Sequence, residues 1–129
     1  MLKIIEYRST GISCESKEYG CNSEKDALIA IRNLNGKDTT LVVIEKDENN
    51  SLTIGGGNDG RYVCYVDQGL KILNLIRRVN TNGTVCIVAG GQRGDYPEKL
   101  CADQQMVDRA ASYYFRYGDV DPDLDWEEA

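Results

Sequence analysis

Four aspartates at every second position, Asp119, Asp121, Asp123 and Asp125, followed by Glu127 and Glu128, are the first candidates for chemistry in this chain. Alternating carboxylates raise the question of calcium. An EF-hand loop needs glycine at its sixth position and a bidentate glutamate at its twelfth. Counting from Asp119, the sixth residue is Leu124, so a calcium loop is not expected. A second candidate set is Arg93, Asp95 and Tyr96, after Gly90-Gly91. It offers a partner a cation, an anion and an aromatic ring, but no nucleophile beside a base. A third is the run Gly55-Gly56-Gly57-Asn58-Asp59-Gly60. Glycines cradle phosphate when a helix N-terminus stands behind them. Here a strand pattern follows, so the run reads as a turn. Arg77-Arg78 is too slight a basic spot to indicate nucleic acid.

Histidine is absent. That removes the commonest general base, the Ser–His and Cys–His nucleophile systems, and most zinc sites. The chain is therefore expected not to be an enzyme, and to need no metal and no cofactor. Five cysteines, Cys14, Cys21, Cys64, Cys86 and Cys101, are an odd number. Cys64 and Cys86 fall inside strand patterns, where a thiol acts as a small apolar side chain. Reduced thiols are expected throughout, with a Cys14–Cys21 disulfide as the lesser reading in a reducing compartment.

The net charge of −6 is unevenly placed. Asp119, Asp121, Asp123, Asp125, Glu127 and Glu128 fall within eleven residues without a Lys or Arg and equal the whole acidic excess. An acidic end repels nucleic acid and suits a basic partner. No apolar run approaches the length of a membrane span, and MLKIIEYRST is too short and charged for a secretory signal. A cytoplasmic, single-domain protein of residues 1–129 is expected, a monomer or weak dimer when free.

The elements that must position these residues are organised around Ser51 to Asp67. Leu52 and Ile54, then Tyr62, Cys64 and Val66, alternate with more polar or outward neighbours on either side of the glycine run. That is a β-hairpin. Leu2 to Arg8 reads as a strand, and Ser9 to Asn22, with Gly11 and Gly20, as a loop. Ser23 caps a helix carrying Ala27, Leu28, Ile31 and Leu34 on one stripe. The unbroken run Leu41-Val42-Val43-Ile44 suggests a central strand covered on both faces. Leu70 to Val79 fits helix or strand, with extended structure preferred. Thr84 to Ala89 is a strand, and Gln92 to Leu100 a loop. Asp103 caps a second helix, Gln104 to Tyr117, with Val107, Ala110, Ala111 and Tyr114 inward, and Gly118 stops it. After Pro122, Leu124 and Trp126 alternate with acids as a short last strand. The expected fold is α+β: a mainly antiparallel sheet of about five to six strands with two helices packed on it.

The ordered set LTIGGG…GRYVCYVD, VCIVAGG, Tyr96-Pro97, ADQQMVDRAASYYFRYG and DPDLDWEE resembles an immunity-protein family of bacterial polymorphic toxin systems, the first-numbered one, often found beside deaminase toxins. The family pattern maps onto Gly55, Gly56, Tyr65 to Asp67, Gly90, Gly91, Pro97, Ala111, Phe115, Gly118, Pro122 and Trp126. It covers roughly Thr40 to Glu128, and Leu70 to Gly83 is more apolar than the family pattern. The resemblance implies a protein that binds and neutralises a cognate toxin domain, a basic, nucleic-acid-acting one such as a deaminase, by covering its active site or substrate groove. Neither nucleic acid nor membrane is then a direct partner. The residues expected to touch the toxin are Asp121, Asp123, Asp125 and Glu127, with Arg93, Asp95 and Tyr96 as a second patch. The alternative, from another class, is a small ligand-binding or enzymatic α+β domain using the Gly90-Gly91 loop.

Overall fold

A computed structural model describes residues 2–10 and 12–129. Gly11, read above as a loop glycine, lies outside the described residues. The order is β1 (Leu2–Thr10), β2 (Ser13–Cys21), α1 (Glu24–Arg32), β3 (Thr39–Asp47), β4 (Asn50–Gly56), β5 (Tyr62–Asp67), β6 (Ile72–Ile76), β7 (Thr84–Ala89), β8 (Gln92–Pro97), α2 (Gln104–Tyr117) and β9 (Asp125–Glu128). Seven strands form one antiparallel sheet in the order β2-β1-β3-β4-β5-β6-β9, and β7 and β8 form a separate hairpin. No helix of the described residues is long and apolar enough to cross a membrane.

The α+β architecture is as the sequence implies, with more strands. Ser9–Asn22 is not a loop: β2 pairs with β1 over nine residues, from Leu2↔Cys21 to Thr10↔Ser13. Gln92–Leu100 is not a loop either: β8 pairs with β7 from Thr84↔Pro97 to Ala89↔Gln92. A short 3-10 turn, Glu98–Leu100, follows. Leu70–Val79 does contain a strand, β6, held between β5 and β9.

The sheet's alternation fixes two faces. One presents Ile4, Val42, Ile44, Leu52, Ile54, Cys64, Val66 and Leu75, all buried. Both helices lie on it. Their inward stripes are Ala27, Ala30 and Ile31 on α1, and Val107, Ala110, Ala111 and Tyr114 on α2. The helices run antiparallel, because Arg32 near the end of α1 forks onto Asp108 near the start of α2, at 3.1 Å for both bonds. At the opposite ends Arg116 binds Glu24 at 2.8 Å. Exposed pairs of this kind contribute about 0.2–1 kcal/mol each, so they orient the helices while the apolar stripes hold them.

The caps are those the residue types imply. Ser23 Oγ accepts from Asp26 N–H at 3.2 Å, and an Asp103 carboxylate oxygen accepts from Met106 N–H at 2.9 Å. Gly118 N–H closes α2 onto Tyr114 C=O at 2.8 Å. Trp126 donates its Nε1–H to Asp121 C=O at 2.9 Å and packs its ring against the core. The five thiols are free. Cys14 and Cys21 lie seven residues apart on one extended strand, about 23 Å, which no disulfide spans. Cys64 is buried as expected, but Cys86 is exposed, because it faces outward on β7.

The hairpin β7–β8 packs on the second face of the sheet, at its Leu41–Gly55–Val63 end. Its approach requires Gly55: a Cβ there would stand 2.7 Å from Ala89 Cβ. Gly90 and Gly91, with φ of 62° and 78°, form the two-residue turn between β7 and β8. Their N–H groups donate to Thr40 C=O at 3.3 Å and Thr40 Oγ1 at 2.8 Å, tying the turn to β3. On the far side, Asn58 docks the outer edge of β7, donating Nδ2–H to Cys86 C=O at 3.1 Å and accepting from Val88 N–H at 3.3 Å.

Gly55→Ala should cost about 1–3 kcal/mol by overpacking. Adding Ala89→Gly should recover most of that loss. Urea unfolding of both variants and the wild type checks the pair.

Candidate partner-binding surface

The face of the sheet away from the helices can be read row by row from the strand register. One row is Tyr7, Leu41, Gly55 and Val63, and β7–β8 lies over it. The next is Glu18, Ile5, Val43, Thr53, Tyr65, Asn74 and Glu127, crossing all seven strands. A third is Lys3, Glu45, Ser51, Asp67 and Ile72. No element of the described chain covers the second and third rows fully: Val43, Tyr65 and Asn74 remain half-buried and Ile72 is exposed. Between the hairpin and this face runs an open groove of about 570 Å3, with Val63, Tyr65 and Asn74 on the sheet side and Ala89, Tyr96 and Leu100 opposite.

The sequence-derived site residues separate on this frame. Tyr96 faces inward and lines the groove. Arg93 and Asp95 lie on the outer face of the hairpin, opposite Val88 and Cys86, and are exposed. They belong to a strand, not a loop, so alternation divides them from Tyr96. Glu127 stands opposite Asn74 and Asp125 opposite Ile76 on the open face, so these two acids and Tyr96 border one surface.

Asp121 and Asp123 turn to the other side, toward α2. Asp121 is 6% exposed. Its carboxylate accepts from Arg109 at 3.3 Å and from Asp123 N–H at 2.9 Å. With its carbonyl also holding Trp126, Asp121 anchors the link into β9 and has no free carboxylate to offer a partner. Of the four acids expected at the contact, it is the buried one. Asp123 is exposed, 3.7 Å from Arg109.

The acidic segment is also less negative in space than in sequence. Asp125 pairs with Arg78 at 3.2 Å and Glu127 with Lys99 at 3.0 Å. Four acids without an ion pair stand at one end of the sheet, with the exposed Lys46 and Lys71 beside them. Asp47 and Glu48 sit at the β3–β4 turn, Asp67 at the β5–β6 turn and Asp119 after α2, none in an ion pair among the described residues. Hydrogen bonds hold this end together. Gln68 donates to Asp119 at 3.0 Å, Asp47 and Asp67 cap their own turns, and Tyr114 donates to Asn50 at 2.6 Å. Asp119 is among the acids the sequence singles out, whereas Asp47, Glu48 and Asp67 sit in turns and carry no such signal. The three turns meet only once the sheet is assembled.

Two tyrosines carry the field of their surroundings. Burial pushes the Tyr114 hydroxyl well above the ordinary tyrosine range, and the Asp47, Asp119 and Glu45 carboxylates push it further. Tyr19 is raised likewise by burial and by its 2.7 Å bond to Glu6. Burial also raises the Cys64 thiol. Among the described residues no cluster of three or more Cys, Asp or Glu could hold a metal ion. The arrangement suits recognition of a surface: an aromatic and aliphatic floor with charged borders. No family model matches the chain, and no curated protein matches it.

Asp121→Ala should destabilise by about 1–3 kcal/mol, since it strips a buried acceptor from two donors. Asp123→Ala should stay within about 0.5 kcal/mol. Urea midpoints separate the two. Groups with raised folded-state values confer stability that is full below their unfolded values and lost as pH rises. Resistance to urea should therefore decline from about pH 8.5, where unfolded thiols ionise, and more steeply above about pH 10, where unfolded tyrosines do. Tyr114→Phe should flatten the upper part of that decline.

Proposed function

We propose that this chain is an immunity protein acting in the cytoplasm. It binds a cognate toxin domain of a bacterial polymorphic toxin system and blocks its active site or substrate groove. The toxin domain is basic and acts on nucleic acid, as a deaminase does. One observation carries the reading. The uncovered part of the open face, where Val43, Tyr65 and Asn74 are half-buried, runs through Glu45 and Asp67 toward Asp47 and Glu48 in the β3–β4 turn. A surface with an aromatic anchor and a border where acids outnumber the lysines meets a basic, phosphate-binding domain with complementary potential, and that border steers association. The resemblance of Gly55-Gly56, Gly90-Gly91, Gly118, Pro122 and Trp126 to the immunity family supports it independently. Tyr96 provides the anchor on the hairpin side, with Arg93 and Asp95 exposed on the hairpin's outer face.

A second reading rests on the groove itself. Its volume of about 570 Å3 falls within the range of small-molecule sites, about 300–1,000 Å3. A ligand held between Tyr65 and Tyr96 would make this a small-molecule-binding domain.

The deciding experiment titrates the chain against the toxin domain encoded beside it, at low and high salt, with toxin activity followed in parallel. Tight, inhibitory binding that weakens with salt is expected. Asp47→Asn, Glu48→Gln and Asp67→Asn together should slow association and flatten the salt dependence. Tyr96→Ala should weaken binding by about 2 kcal/mol, mainly through faster dissociation. A toxin left fully active at saturating protein sinks the proposal. A melting temperature raised by a small molecule, and lost in Tyr96→Ala, would favour the second reading.

A further inference from the structure

The strand β2 is the outer edge of the seven-stranded sheet, and nearly all of it is exposed. Such an edge presents a row of backbone donors and acceptors. Which residues of β2 present them follows from β1. Ser9 N–H donates to Asp38 C=O at 2.7 Å, away from β2, so the pair Ser9↔Cys14 is one of the non-hydrogen-bonded pairs of the ladder. The β1–β2 register runs without a break. Hydrogen-bonded and non-hydrogen-bonded pairs therefore alternate strictly, and Cys14, Ser16, Glu18 and Gly20 point their backbone groups outward.

We propose that this edge pairs with the β2 edge of a second copy, antiparallel, with Ser16 on the two-fold axis. A two-fold normal to the sheet keeps like faces together, so only residues of equal parity can oppose. In the Ser16 register, Ser16 meets Ser16 and Cys14 meets Glu18, all of them outward-bonding residues, which allows about six new backbone hydrogen bonds. The same register sets Glu15 against Lys17 twice, once on each side of the axis. Neither residue has an ion-pair partner among the described residues of its own chain; Lys17 only lies 5.6 Å from the Tyr19 ring centre. Centring on Lys17 or on Glu18 would instead bring like charges together on the axis. Charged residues on an edge ordinarily guard it against pairing. Here they guard it against the neighbouring registers and leave this one favourable. There is also room. The side of β2 toward the helices opens onto a polar hollow bordered by Glu6, Arg8, Lys17 and Asn33, so no helix obstructs the incoming strand.

Sedimentation velocity across protein concentration, in the absence of any toxin, tests the proposal apart from the immunity reading. The wild type should form dimers that weaken with salt. Lys17→Glu and Glu15→Lys should each weaken dimerisation by about tenfold or more, and the double exchange Glu15→Lys with Lys17→Glu should restore it. Ser16→Pro removes an outward N–H that β1 does not use, and should abolish dimers while circular dichroism and melting stay near wild type. A wild type that is monomeric up to millimolar concentration overturns the proposal. So does a dimer that survives all these changes, or one that the double exchange fails to restore.

Discussion

A seven-stranded antiparallel sheet has two faces to shelter, and this chain supplies only two helices. Both go to one face, where Ile4, Val42, Ile44, Leu52, Ile54 and Val66 are buried. The other face is left to a hairpin of two six-residue strands that lies over its Leu41–Gly55–Val63 end. The remainder of the molecule follows from that shortage. Residues that would be core in a three-layer protein, such as Val43 and Tyr65, stay half-exposed. Polar groups, among them Thr53, Asn74 and Glu45, take places along the same rows. The sheet is thus at once the framework and the surface it presents.

Much of this framework was legible from periodicity and punctuation. The β4–β5 hairpin, both helix caps, the Gly118 stop and the final Trp126 strand all carry local signals that tertiary packing reinforces. The two missed strands, β2 and β8, share one physical cause. Each is the outer arm of a hairpin, with little buried surface, so neither SCESKEYGC nor QRGDYP needs alternating apolar residues. They are strands because a preceding strand offers a ladder to pair with, from Leu2↔Cys21 in one case and from Thr84↔Pro97 in the other. Gly90-Gly91 was a readable turn signal. Two glycines end a strand and reverse it equally well, and only the pairing of Ala89 with Gln92 shows the reversal.

The site was legible in part, for a related reason. Acids spaced every second residue look alike in a sequence, but they do not share surroundings. Asp121 precedes β9 and turns in to meet Arg109, while Asp125 and Glu127 fall on the open face beside Trp126, which points the other way. Charge follows the same rule. Arg78, Lys99 and Arg109 are remote in sequence from the acids they neutralise. Single acids in three separate turns become neighbours through the sheet. Tyr96 was recognised, but its separation from Arg93 and Asp95 required knowing that β8 is a strand.

The way Asn58 holds β7 bears on the groove. A side-chain amide stands where a neighbouring strand would be, giving two hydrogen bonds in place of a continuous ladder. The hairpin's other ties to the sheet include the Thr40 bonds at its turn, the contact of Ala89 over Gly55 and the fully buried Ile87 packed against Gly56. The hairpin shares no ladder with the seven-stranded sheet, so packing and these few bonds, not strand pairing, hold it there. The depth of the groove at Tyr96 therefore depends on side-chain contacts, chief among them the buried Ile87, while the helix-covered core is built independently of it.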